Sequence, residues 1–171
     1  IDGIAFAEGW LQTQRVDKIF IALGGIAFLA VGAPEAQVLL AEVTRAVVGA
    51  IPAADENARN RLFYTLRGMA FQVVGEPQAQ ATALLAAITS AAVGAIPGGD
   101  RDASNRLSFA LKGVACSAVG APEAQATALL AAMTRAVVGA IPGADEAARN
   151  RLGAALQGIA FPAARAPEAQ A

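Results

Sequence analysis

The chain has 171 residues, 56% of them hydrophobic but only 5% aromatic, and its 13 basic and 14 acidic side chains leave a net charge of −1. This length allows a sizeable core in one domain or one repeat array, while the near-neutral charge argues against a nucleic-acid binder, which carries a basic field. With no histidine and a single cysteine, Cys116, neither a His/Cys zinc site nor an intramolecular disulfide can be built, and no cofactor is expected. The apolar material is mostly Ala, Leu, Val and Ile, and together with Arg and Gln it favours helices, so the expected class is all-α.

Ile1 to Phe6 contain Asp-Gly-Ile-Ala-Phe, and the same Gly-Ile-Ala-Phe returns 22 residues later. Residues 1–33 therefore read as degenerate half-repeats, with 12–31 resembling the second helix of a hairpin. No signal-peptide pattern is visible in this stretch, and the sequence assigns no compartment. Trp10 is the chain's one indole, and it either anchors a partner or covers the end of the core.

From Pro34 the chain repeats itself. A Pro-Glu-Ala-Gln-like start recurs at Pro34, Pro77, Pro122 and Pro167, spaced by 43, 45 and 45 residues, and Val-Gly-Ala-Ile-Pro ends at Pro52, Pro97 and Pro142. A fixed period of this size predicts a solenoid of stacked supersecondary units. The units are 34–76, 77–121 and 122–166, with 167–171 beginning another, all within one α-solenoid domain spanning 1–171.

The third unit shows the design. Pro122 suits the first turn of a helix and Glu123 its positive end. Leu130, Met133, Val137 and Ile141 follow at helical spacing as an inward stripe. After Pro142 and a short turn, Asp145, like Asp55 and Asp100, is placed to cap a second helix. On that helix Leu152, Leu156, Ile159 and Ala163 are expected to face inward. Gly32, Gly75 and Gly120 end the second-type helices and predict left-handed caps there. Each unit is thus a helical hairpin; the first is two residues shorter, and the loss falls at the entrance of its first helix.

Two ladders recur with the period. Asn60-Arg61, Asn105-Arg106 and Asn150-Arg151 form either a binding row of forked donors and amides or a structural one, the favoured reading, with Asn satisfying the neighbouring turn and Arg pairing with Asp or Glu. Thr44, Thr89 and Thr134 are expected to return their hydroxyls to the backbone one turn earlier. Cys116 stands where other units have Phe28, Phe71 and Phe161 and reads as a small buried hydrophobe.

Positions that differ between units are better candidates for specificity. Tyr64 and Arg67 correspond to Phe109 and Lys112, then to Ala154 and Gln157, and at a spacing of three they share one helix face. Trp10, Tyr64, Arg67, Phe109 and Lys112 are the candidate partner-binding residues. No nucleophile–base pair, phosphate-cradling glycine loop or repeated carboxylate pair of convincing geometry appears, and Asp100 and Asp102 fit a helix start, so an enzyme is not expected.

Leu129-Leu130 on the first helix, Asp145 at the turn and Ala155-Leu156-Gln157-Gly158-Ile159-Ala160 on the second resemble, loosely, a HEAT- or armadillo-type hairpin over about 34–166. That resemblance implies a protein-binding scaffold. A self-assembling structural protein, stacked through uncapped repeat ends into an oligomer or filament, and an apolar-ligand or membrane-associated carrier are the alternatives. Membrane insertion is disfavoured, because Arg45 and Arg135 stand mid-helix, where lipid exposure costs about 2.5–3.5 kcal/mol.

Overall fold

The computed structural model describes residues 16–51 and 55–165. Seven helices and no strands occur among them: α1 (Val16–Val31), α2 (Ala36–Gly49), α3 (Glu56–Val73), α4 (Gln78–Ala95), α5 (Arg101–Val119), α6 (Glu123–Ala140) and α7 (Glu146–Arg165). Trp10, Pro52 and Pro167 lie outside the described residues.

Each helix packs most extensively on the helix two places along the chain. The helices α1, α3, α5 and α7 follow one another in a B row, and α2, α4 and α6 in an A row. One continuous core separates the rows, built from residues such as Leu40, Val47, Leu62, Met69, Leu85, Ile88, Leu107, Val114 and Met133. These recur at helical spacing, which is why each helix turns one stripe toward the other row.

The B helices start alike. Asp55, Asp100 and Asp145 each accept a hydrogen bond from the main-chain N–H three residues on, at Ala58, Ala103 and Ala148, all at 2.8 Å. Thr44, Thr89 and Thr134 donate to the carbonyls of Leu40, Leu85 and Leu130 at 2.6, 2.8 and 2.9 Å. Helix α2 has 14 residues against 18 in α4 and α6, and it begins after Glu35 instead of directly after its proline.

Two expectations are corrected. The glycines ending the B helices are not left-handed: Gly120 has φ −75°, and the chain closes there through tight bonds from Gly120 N–H to Ser117 O and Ala121 N–H to Ala118 O. Positive φ belongs instead to Gly98 and Gly143, both 93°, just after the proline of the A-to-B turn, where a Cβ would be strained. Leu156, expected to face inward, is 37% exposed, although its counterparts Leu66 and Leu111 are fully buried. Those two are covered by the next B helix, and no described helix follows α7.

The B row packs backbone to backbone. A Cβ on Gly68, Gly113 or Gly158 would strike the carbonyl oxygen of Phe20, Phe63 or Ser108 respectively on the preceding B helix. Only glycine permits that approach.

Candidate functional site: a groove on the outer face of the B row

Between α5 and α7 the outer face opens into a groove of about 610 Å³, lined among others by Ser104, Asn105, Ser108, Phe109, Lys112, Asn150, Ala154, Gln157 and Phe161. Repeat register explains the opening. Where α3 carries Arg59, Phe63 and Tyr64, α5 carries Ser104, Ser108 and Phe109, and α7 carries Arg149, Gly153 and Ala154. Between α3 and α5 the corresponding space holds the Arg59 guanidinium, 5.4 Å from the Phe109 ring centre. One junction later, serine and alanine stand in place of arginine and the aromatic rings, and the space is vacant.

The groove has one sign of charge. Its lining includes Arg101 and Lys112 and no carboxylate. The Lys112 ammonium sits 4.4 Å from the ring centre of Phe109 on its own helix and 4.2 Å from that of Phe161 on the next. Two ring faces hold the cation across the junction, an attraction worth about 0.5–2 kcal/mol, in a groove that Asn105, Asn150 and Gln157 also line.

The four candidate contact residues that fall in the described region do not form one cluster. Phe109 and Lys112 meet in this groove together with Asn105 and Asn150, whereas Tyr64 and Arg67 belong to the junction between α1 and α3. Tyr64 lies edge-on to Phe63 at 5.1 Å, and the exposed Arg67 spans Phe20 and Phe63 at 5.7 and 6.0 Å. Asn60 is exposed and Arg61 half-buried on α3.

The Asn-Arg ladder makes contacts between units. Asn150 Nδ2 donates to the Gly99 carbonyl in the preceding turn at 3.3 Å. Arg106 Nη2 donates to Ile51 O at 3.0 Å, and Arg151 Nη2 to Val93 O at 2.9 Å and, at 3.5 Å, to Ile96 O. These carbonyls end the A helix of the previous unit, so the guanidinium partner is backbone, and the carboxylate partner expected from sequence is replaced by a helix C-terminus. Orphan carbonyls and the negative end of the helix dipole both attract a cation. Burial lowers the Arg106 guanidinium from its usual value, and Asp100 opposes that shift.

Cys116 is half-buried. Burial raises its thiol above the usual value, against the opposing pull of Arg67 and Lys112. Among the described residues no cluster of His, Cys, Asp and Glu could hold a metal ion, and no helix is long and apolar enough to cross a membrane.

Sequence reasoning missed Ser104 and Ser108, the residues whose small size makes the groove. The signal was present in the aligned units as Phe63 against Ser108, a large-to-small change on a shared face. Comparison with protein-family models, with curated proteins and with solved structures gives no significant match for this chain.

Proposed function

We propose that this chain is a non-enzymatic α-solenoid of helical hairpins that serves as a protein-interaction scaffold, gripping an extended, acidic segment of a partner in the groove between α5 and α7. Support for the solenoid comes from the alternate-helix packing, repeated with the sequence period over 34–76, 77–121 and 122–166. Support for the partner's chemistry comes from the placement of Lys112. Its ammonium is held between Phe109 and Phe161 in a groove without a carboxylate, so an incoming carboxylate meets a positioned, partly dehydrated cation. Asn105, Asn150 and Gln157 offer both donors and acceptors along the same groove, which suits peptide groups running past them.

The experiment is a binding measurement with fluorescent extended peptides of acidic, neutral and basic composition. Acidic peptides should bind best, and less well as salt rises. Ser108→Phe, which restores the side chain found at Phe63, and Lys112→Glu should each remove most of that binding while leaving the helical content unchanged. Equal binding of neutral and acidic peptides, or a Lys112→Glu protein that binds as the parent does, would reject the reading.

A further inference from the structure

The two ends of the B row display the two halves of one contact that the structure already makes three times. On α3, α5 and α7 the residues turned toward the preceding B helix include Gly68, Gly113 and Gly158, all buried, each with its Cα against a main-chain carbonyl. Their counterpart on α1 is Gly25, which is exposed and has nothing within 4 Å of the position of a Cβ. It is flanked one turn either way by Ile21, 72% exposed, and Leu29, 77% exposed. The residue at the Leu29 register is Ser117 on α5, buried and hydrogen-bonded to the Arg67 carbonyl of α3. Phe28 does not distinguish this end, since its counterparts Phe71 and Phe161 are exposed as well.

The opposite end carries the matching half. Gly153 of α7 stands at the register of Phe20, Phe63 and Ser108, the residues whose carbonyls receive the glycines, and nothing lies within 4 Å of its Cβ position. Beside it, Leu156 and Ala160 are exposed, whereas their counterparts Leu66, Leu111, Ala70 and Ala115 have no exposed surface at all.

We infer that two copies of this chain join head to tail, α1 of one laid on α7 of the other, with Gly25 against the Gly153 carbonyl and Ile21 and Leu29 covering Leu156 and Ala160. The geometry is that of the α1–α3, α3–α5 and α5–α7 contacts, so no new packing solution is needed. Lys18, exposed and at the register of Arg106 and Arg151, then faces the carbonyls at the end of α6, as those arginines face the ends of α2 and α4. Among the described residues no A-row helix stands at such a junction, so the contact rests on the B row. A contact between unlike surfaces does not close on itself in a pair, and further copies can add at either end. The inference is independent of the groove reading.

Mass by light scattering across a concentration series tests it, with the full chain and three variants. The parent should gain mass with concentration. Gly25→Leu and Leu156→Glu, each blocking one end, should shift that gain to at least tenfold higher concentration with unchanged circular dichroism. An equimolar mixture of the two has one usable junction and should stop at two chains. Gly153→Ser, a residue already accommodated at Ser108, should assemble as the parent does. A parent that stays monomeric throughout, blocked variants that assemble normally, or Leu156→Glu forming pairs by itself would each overturn the inference. Should Gly25→Leu lose helical content, Leu29→Glu replaces it.

Discussion

A methyl group on Gly68 would come within 2.6 Å of the Phe20 carbonyl oxygen on the neighbouring B helix. Gly113 and Gly158 repeat that relationship against Phe63 and Ser108, so these glycines keep the row spacing. Gly113→Ala and Gly158→Ala should each destabilise the protein by about 1–3 kcal/mol through forced backbone separation. For a chain of this size each kcal/mol lowers the melting temperature by about 2–4 °C. Gly153→Ala, in the middle of α7 with open space around it, should do the opposite and stabilise by roughly 0.5–1 kcal/mol. Thermal melts of the three variants check the contrast.

Arg151→Ala should cost about 1–2 kcal/mol in a denaturant titration, because the Val93 and Ile96 carbonyls lose a charged donor. Arg151→Lys should recover only part of that, since an ammonium is a point charge and lacks the planar fork. Arg149→Ala, removing an exposed side chain bonded to Ala144 O at 3.2 Å, should change stability by less than about 0.5 kcal/mol.

Thr65 is fully buried, and its hydroxyl finds no partner. The other B helices carry Ala22, Ala110 and Ala155 at this register. Thr65→Val should therefore stabilise by about 1 kcal/mol, as an unpaired polar atom gives way to a methyl group. Thr89→Val, whose parent hydroxyl is bonded to Leu85 O, should show no such gain.

Raising the pH should weaken the fold through Cys116. Its thiol titrates above the unfolded value of about 8.5. Below that value both states keep the proton and nothing is lost. As the pH rises past it the unfolded chain gains a thiolate that burial disfavours in the folded chain, so stability falls until the folded thiol titrates in turn. Denaturant titrations at increasing pH should show this fall, and Cys116→Ala should lack that part of it. Alkylation at neutral pH should be slower than for a free thiol.

What the sequence made legible was chemistry that acts locally. Asp55, Asp100 and Asp145 cap helices through an N–H three residues away, and Thr44, Thr89 and Thr134 bond back within one turn, so neither depends on the rest of the fold. Gly113 meets Phe63 from 50 positions away, and its role as a spacer needs the row to exist first. Gly120 was misread because a helix-ending glycine suggests a left-handed cap, whereas two tight bonds close that helix in right-handed geometry and the positive φ falls at Gly98. Of the candidate site, Phe109 and Lys112 were found as departures from the repeat. The groove itself was not, because it is made by the small size of Ser104, Ser108 and Ala154.

The reach of Arg106 to Ile51, and of Arg151 to Val93 and Ile96, means that the C-terminal ends of α2 and α4 are finished from outside their own hairpins. The first helices of units 34–76 and 77–121 are each finished by a donor from the unit that follows, so either hairpin, excised, keeps bare carbonyls and should not hold its shape alone. Opening is then a nearest-neighbour process that starts at the outermost helices and travels inward. Amide exchange should accordingly be slowest in α4 and α5 and grow faster toward α1 and α7.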